Sequence, residues 1–169
     1  MNAIQRSLTA LSLATINQPH IALLKEQGVD VAPYQKLLQK QRSYLSGELK
    51  SEANLLRFFE QFSEWRQAQP LDANLNDRIV DLCCASLYGS VEMMHDSECD
   101  DIELLYGYVD QLFAEIDELG GESETLAQYF EDIKSELSEH LNNVSQRPVK
   151  KEFFKWLDEQ DISLFGLSS

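Results

Sequence analysis

Apolar residues recur at every third or fourth position along most of this chain, a spacing typical of α-helices. The first part of the sequence predicts one short turn over 20–27 and four helices, which cover residues 1–16, 33–45, 51–67 and 74–94. Pro19 and Pro70 lie between predicted helices, where residues that interrupt helices are expected. No strand-like alternation of apolar and polar residues competes with this pattern.

Two more helices are predicted on either side of Gly120 and Gly121, which interrupt the helical spacing. Ser97 is the expected N-cap of the first helix, and Ser123 is the expected N-cap of the second. The first helix has an apolar seam with spacings of 3, 4, 3, 4 and 3, formed by Ile102, Leu105, Val109, Leu112, Ile116 and Leu119. The seam of the second consists of Leu126, Phe130, Ile133, Leu137 and Leu141. Two such seams predict an antiparallel helical hairpin.

A last helix is predicted to begin at Pro148, and a short apolar tail follows over 161–169. Only seven Gly and four Pro occur in 169 residues, which favours long helices with short connections. We therefore expect an all-α fold with one domain over residues 1–169. Six or seven helices should form a bundle-like array, with the hairpin in its second half.

The charge pattern adds a feature that the apolar pattern does not show. All of the net charge lies in residues 92–139, called here the acidic block, which makes the predicted hairpin an acidic one. The acidic block has 16 acids and one base, Lys134, and its net charge of −15 equals that of the whole chain. Its acids are Glu92, Asp96, Glu98, Asp100, Asp101, Glu103, Asp110, Glu115, Asp117, Glu118, Glu122, Glu124, Glu131, Asp132, Glu136 and Glu139.

Such one-sided charge has a cost that an ordinary solvated helix surface avoids. Glu115 and Glu118 stand three positions apart, a spacing at which like charges destabilise a helix by about 0.2–0.5 kcal/mol per pair. A surface that tolerates this repulsion favours a functional role, although solubility or adaptation to the ionic conditions of the cell would also account for it. The charge disfavours direct contact with nucleic acid or anionic membranes, and it favours a basic protein partner.

The density of charge suggests one class of basic partner. Two adjacent helices of about 20 residues span about 30 Å, and duplex DNA presents roughly 18 phosphates over that length. The predicted partner is therefore a nuclease or another protein that binds nucleic acid. We expect a non-enzymatic inhibitor, of the immunity-protein or DNA-mimic kind, that binds through outward acids. The predicted partner-binding residues are Asp100, Asp101, Glu103, Asp110, Asp117, Glu118 and Glu124.

Two alternatives belong to other classes of protein. One is an adaptor or chaperone that grips an apolar client segment in a groove between helices, for which exposed apolar residues in the tail or around Phe153 and Trp156 would be evidence. The other is a metal-dependent enzyme, because Glu and His one turn apart on facing helices bind metal ions in four-helix bundles. Its candidate ligands are Glu92, His95, Glu136 and His140.

The sequence predicts no cofactor and no catalytic group, since nucleotide-binding loops and nucleophile-elbow patterns are absent from it. Three cysteines cannot all be paired in disulfides, and Cys83 and Cys84 lie in an apolar run typical of a buried segment. This cysteine pattern favours a reducing compartment, so we expect the protein in the cytoplasm. No apolar run of about 20 residues occurs, which disfavours a membrane span.

Overall fold

The computed structural model describes residues 1–168, which form eight α-helices and no β-strand. In chain order the helices are α1 (Ala3–Ile16), α2 (Gln18–Glu26), α3 (Ala32–Ser46), α4 (Glu52–Gln67), α5 (Leu75–His95), α6 (Ile102–Glu118), α7 (Glu124–Leu141) and α8 (Lys151–Asp158). The all-α prediction is confirmed, but the helices number eight where six or seven were expected. No helix in this part of the chain combines the length and the apolar character that a membrane span requires.

Helix α2 lies where a short turn was predicted over 20–27, and it is the element that raises the number of helices to eight. Pro19 lies in its first turn, where the missing N–H leaves no intrahelical hydrogen bond unmade. Asn17 is both the C-cap residue of α1 and the N-cap residue of α2, so no loop separates the two helices. At the other end of the chain, α8 begins three residues after Pro148, with Lys150 as its extended N-cap residue. Val149 before it donates its N–H to the carbonyl oxygen of Leu45 at 2.8 Å.

Helices α1 and α5 lie at the centre of the fold, and most of their residues are buried. Ser7 Oγ donates to Ser90 O at 2.7 Å, and Ser90 Oγ donates to Ser7 O at 2.8 Å. Gln41 of α3 donates from Nε2 to both serine hydroxyl oxygens at 3.0 Å. Because buried polar groups are costly when unpaired, these hydrogen bonds fix the register of three helices.

Helix α6 packs on α5 through most of its predicted seam. The buried seam residues are Ile102, Leu105, Val109 and Leu112. Ile116 is half-buried, and the prediction is wrong for Leu119, which is 68% exposed. Leu119 is the C-cap residue of α6, and its N–H still donates to Glu115 O at 3.0 Å, so the helical spacing continues to it. The packing against this seam decreases towards the end of the helix, because Ile116 one turn earlier is already only half-buried. Phe113, which was not assigned to the seam, is buried and faces α7.

Helix α7 packs on α6 through aromatic rings. The Phe130 ring centroid lies 5.4 Å from that of Tyr106 and 6.1 Å from that of Phe113. Four residues of the predicted α7 seam are buried, and Leu126 is half-buried. The inward face of α7 was therefore predicted correctly from its apolar spacing.

The predicted tail packs onto the fold as expected. Leu164 is fully buried, and its N–H donates to Asn17 Oδ1 at 3.0 Å. Tyr129 of α7 donates its hydroxyl to Ile162 O at 2.8 Å. Ser169, the last residue of the predicted tail, lies outside the described residues.

A buried histidine connects the tail to α2 and α5. His20 Nδ1 lies 2.9 Å from Asn76 Oδ1, and His20 Nε2 lies 2.8 Å from Ser163 Oγ. The Ser163 hydroxyl oxygen also accepts the backbone N–H groups of Phe165 and Leu167, at 3.1 and 3.0 Å. A neutral His20 ring satisfies both hydrogen-bond partners, because Nδ1 donates to the Asn76 amide oxygen and Nε2 accepts the proton of the Ser163 hydroxyl. A second proton on the ring would meet an oxygen that already accepts two hydrogen bonds.

We expect His20 to make the protein less stable below about pH 6.5. Burial lowers the pKa of His20 from its ordinary value of 6.5, and the hydrogen bond that His20 donates to Asn76 opposes this only in part. The unfolded chain therefore binds the proton more readily than the folded protein does. The contribution of neutral His20 to the free energy of unfolding is complete above about pH 6.5 and is lost as the pH falls through the lowered pKa.

The measurement compares wild type with His20→Gln, which keeps a donor and an acceptor but does not titrate. Urea unfolding at about pH 7.5 and about pH 5.5 gives the free energy of unfolding of each protein. The other titrating groups are common to both proteins and cancel in the difference. Wild type should lose more stability on acidification than His20→Gln, and an equal loss would contradict the prediction.

Candidate functional site

Most carboxylates of the acidic block face solvent. Thirteen of its 16 acids are exposed, and Glu92, Asp101 and Glu115 are half-buried. Helices α6 and α7 position most of these acids, because apolar residues occupy the inward face of each helix and leave the outward face to the charged ones. The rest lie at the end of α5 and in the loops that precede and follow α6.

Six of the seven predicted partner-binding residues are exposed, and Asp101 is half-buried. Within residues 1–168 none of the seven forms an ion pair. Glu103, Asp110 and Asp117 stand seven positions apart, so they form one stripe along α6. Asp100 precedes this stripe, Glu118 lies beside its far end, and Glu124 begins α7. The structure thus gathers most of the predicted residues along one helix.

Asp117 also has a structural role that the sequence did not reveal. Its Oδ1 accepts the Ser123 N–H at 2.9 Å, and its Oδ2 accepts the Ser123 hydroxyl at 2.8 Å. Ser123 is the N-cap residue of α7 as predicted, but its side chain makes no capping hydrogen bond to that helix. The Asp117 carboxylate therefore holds the turn between α6 and α7, and replacing it would disturb the fold as well as the charge.

The turn itself requires Gly120 and Gly121, as the break in the sequence pattern predicted. Gly120 has a φ of 90°, in the left-handed region that favours glycine. The N–H of Gly121 donates to Ile116 O at 2.9 Å and that of Gly120 to Asp117 O at 3.1 Å, which is a Schellman motif. A Cβ on Gly121 would lie 2.8 Å from Ile116 Cγ2. This motif fixes how α7 leaves α6.

The only base of the acidic block is engaged between the two helices. Lys134 Nζ lies 2.6 Å from Glu131 Oε1 and 4.4 Å from the ring centroid of Phe130. It also lies 5.4 Å from the ring centroid of Tyr106, whose pKa is raised to about 12 by burial and by the nearby Glu131. Lys134 therefore neutralises one neighbour and leaves the other exposed acids without a base from the block.

Two polar contacts attach α6 to α5. Glu115 forms a bidentate ion pair with Arg78, in which Arg78 Nε lies 2.9 Å from Glu115 Oε2. The Tyr108 hydroxyl donates to Asp81 Oδ2 at 2.9 Å, and its pKa is raised by burial and by this carboxylate. Glu115 is thus a structural acid, and the two contacts hold one side of α6 in place.

The loop before α6 differs from its prediction. Asp101 is the N-cap residue of α6, without a side-chain capping bond, and Ser97 lies four residues earlier in the loop. The Ser97 carbonyl instead accepts a hydrogen bond from Arg6 Nη2 at 2.7 Å. Arg6 is a buried base of α1, and it also donates to the carbonyl oxygen of Met1 at 2.8 Å. A base from the neutral part of the chain therefore holds the loop that leads into α6.

The same loop contains a thiol held by two carboxylates, which the sequence did not indicate. Cys99 Sγ donates to Glu92 Oε1 at 3.2 Å and to Asp101 Oδ2 at 3.5 Å. Partial burial, followed by these carboxylates, raises the pKa of the Cys99 thiol to about 12. Across residues 1–168 these three form the one group of three potential metal ligands. The protonated Cys99 thiol donates hydrogen bonds to the two carboxylates, and these hydrogen bonds explain why the three side chains lie close together.

The acidic block also places charge where helix dipoles disfavour it. Asp117 and Glu118 end α6, whose last turn contains no base, although a helix C-terminus favours cations.

Comparisons with protein-family models, with curated proteins and with solved structures found no match to this chain. The function of the block therefore has to follow from its charge, exposure and contacts.

The structure does not gather the candidate ligands of the metal-dependent alternative into one cluster within residues 1–168. His95 Nε2 lies 2.9 Å from Glu52 Oε1, and its Nδ1 lies 2.9 Å from Val91 O. The His140 ring centroid lies 4.8 Å from that of Trp156. Both histidines thus have other partners.

Most of the apolar residues whose exposure would favour the adaptor alternative are buried. Phe153 and Trp156 pack in the core, and so does Leu164 of the tail. Of the large apolar residues of the tail, Ile162 is exposed. The apolar residues that are most exposed lie elsewhere, on α6.

Proposed function

We propose that this protein is a non-enzymatic inhibitor that binds a basic protein partner through the exposed acids of α6 and α7. The observation that supports this most strongly is the exposure of 13 carboxylates in a block whose only base is engaged between the helices. Solubility alone does not require charge to be gathered in one block while the rest of the chain is neutral. In this proposal α6 and α7 act together as an acidic hairpin.

The class of partner that we propose is a protein that normally binds nucleic acid, such as a nuclease. Helix α6 has 17 residues and is about 25 Å long, and duplex DNA presents roughly 15 phosphates over that length. The 16 acids of the block are therefore comparable in number to the phosphates that a basic groove of this size accommodates. An immunity protein or a DNA mimic inhibits in this way, by occluding the groove.

Electrostatics would act mainly on the rate of encounter. Opposite charge on two surfaces steers their approach, and it raises the association rate constant more than it deepens affinity. At physiological ionic strength screening limits the reach of exposed charges to about 8 Å. Shape and apolar contact must then supply the remaining specificity once the surfaces meet.

The partner can be identified by capture on the immobilised protein from a lysate of its source cells. A control resin would carry Asp110→Lys/Glu118→Lys, in which two exposed acids of α6 are reversed. The proposal expects a basic protein on the first resin alone, and expects duplex DNA to compete with it. Capture of the same proteins on both resins, or a partner that DNA does not displace, would contradict an inhibitor of nucleic-acid binding.

Association with that partner is expected to slow as salt rises. Between about 50 mM and about 500 mM NaCl the association rate constant should fall by roughly tenfold or more, while the dissociation rate constant changes little. The reason is that screening removes the long-range attraction before the surfaces touch. Stopped-flow or surface-plasmon kinetics over this range measure both constants. An association rate constant that stays flat would leave the acids with no role in encounter.

A further inference from the structure

Two leucines lie in solvent among the acids of α6. Leu104 is 73% exposed and Leu119 is 68% exposed, more than any other large apolar residue described. A single exposed leucine is ordinary on a protein surface. Two at the ends of one helix, inside a block where other outward positions are mostly charged, indicate a specific contact.

The two leucines belong to one stripe of α6, called here the leucine stripe. Its members are Leu104, Tyr108, Gln111, Glu115 and Leu119, with spacings of 4, 3, 4 and 4. These are spacings of residues that face a partner helix. Leu104, Gln111 and Leu119 are exposed, whereas Tyr108 and Glu115 are half-buried against α5. The leucines stand 15 positions apart, or about 22 Å along the axis.

The middle of the leucine stripe is held rigidly. Tyr108 and Glu115 are attached to α5 by the Asp81 hydrogen bond and the Arg78 ion pair. A surface fixed in this way loses little conformational entropy when a partner binds. The leucines therefore stand at a set distance from each other before any partner arrives.

We infer that the leucine stripe is the docking surface for a basic amphipathic helix of the partner, laid along α6. This inference rests on the proposed function and names the part of the partner that α6 contacts. Charge complementarity argues for it at both ends of the stripe. Leu104 follows Asp100 and Asp101 by one helical turn, and Leu119 follows Glu118 directly. A matching helix carries apolar residues about four turns apart, flanked by Lys or Arg.

The charge around the stripe disfavours the other occupants. A second copy of this chain would bring acids against acids, and an anionic lipid surface or a nucleic acid would be repelled in the same way. A neutral apolar segment would leave the acids beside each leucine desolvated and unpaired, which is costly. A basic amphipathic helix satisfies both the leucines and the acids.

The test uses two synthetic peptides of 20 residues made of Lys, Leu and Ala. In one, the leucines recur every third or fourth position, and in the other the same residues are shuffled so that no apolar face forms. Fluorescence anisotropy with the full chain gives both affinities. The inference expects the amphipathic peptide to bind at least about tenfold more tightly, since two leucine contacts are added to the same charge.

Variants of the protein assign that difference to the leucines. Leu104→Asn and Leu119→Asn should each weaken the amphipathic peptide by roughly 5- to 30-fold and leave the shuffled peptide unchanged. Leu56→Asn is the matched control, because Leu56 is exposed on α4, outside the acidic block, and should have no effect. Because all three leucines are exposed, urea unfolding should show that the variants remain folded.

Failure of this inference is distinguishable from failure of the proposed function. Equal affinity for the two peptides, or native affinity of the Leu104 and Leu119 variants, overturns the leucine stripe. In that event Asp110→Lys/Glu118→Lys would still weaken both peptides if the acids bind basic partners. Self-association of the free chain that Leu119→Asn abolishes would instead show that the stripe binds a second copy, and would also overturn the inference.

Discussion

Reversal of charge at Asp110 and Glu118 together, as Asp110→Lys/Glu118→Lys, is expected to weaken binding of the basic partner by about 100-fold or more. Both side chains are exposed on α6 and form no ion pair within residues 1–168. The new cations would face a basic surface, and like charges set against each other in an interface cost several kcal/mol. Each substitution should change the free energy of unfolding by no more than about 0.5 kcal/mol. Titration calorimetry with the captured partner and urea unfolding measure the two effects.

The matched control is Glu60→Lys/Glu64→Lys, which changes the net charge equally at two exposed positions of α4. It should bind with nearly native affinity if the location of the acids matters. An equal loss in both double variants would show that only net charge matters, and native binding by the α6 variant would refute the proposed surface. Asp117 is left intact, because it holds Ser123 in the turn and its replacement would confuse binding with folding.

Leu112→Ala is expected to cost about 2–5 kcal/mol in the free energy of unfolding. Leu112 is only 2% exposed, at the centre of the α6 seam, so truncation removes buried apolar atoms and leaves a cavity. Gln111→Ala is the control, since Gln111 is the exposed neighbour and should shift stability by no more than about 0.5 kcal/mol. Urea unfolding of both variants gives the difference.

The charge reversal should weaken binding and leave stability nearly unchanged, whereas Leu112→Ala should lower stability and leave binding unchanged. Under conditions in which the variant remains folded, it should bind the partner normally, because the outward acids are unchanged. A cost below about 1 kcal/mol would mean that α6 is not firmly packed on α5. Such a result would also weaken the argument that the surface of α6 is rigid.

The buried faces of the long helices were predictable because apolar spacing reports directly which side of a helix faces the core. The inward residues of α7 and the first four of the α6 seam follow from this rule. Leu119 does not follow it, because spacing does not report where along a helix its packed neighbours end. Where α6 ends is decided by the Schellman motif at Gly120 and Gly121. The sequence indicated the glycines but not which residue before them leaves the helix.

The candidate surface was predictable in part for the same reason. Acids placed off the apolar seam are expected in solvent, and six of the seven predicted residues are exposed. The structural roles of Asp117 and Glu115 were not predictable, because their partners lie in a turn and on another helix. The thiol contact between Cys99 and Glu92 likewise crosses a loop whose path the sequence does not specify. Such contacts depend on tertiary geometry, which no local spacing reports.

Because its net charge is concentrated in one block, the molecule has an electric dipole moment. Residues 1–91 and 140–169 are each neutral overall, while the acidic block contributes −15. In the field of a cationic body such a distribution experiences a torque as well as an attraction, so the molecule rotates during its approach. Collisions would then begin with α6 and α7 already turned towards the other surface. For the proposed basic partner, this asymmetry would shorten the search over orientations that slows most protein encounters.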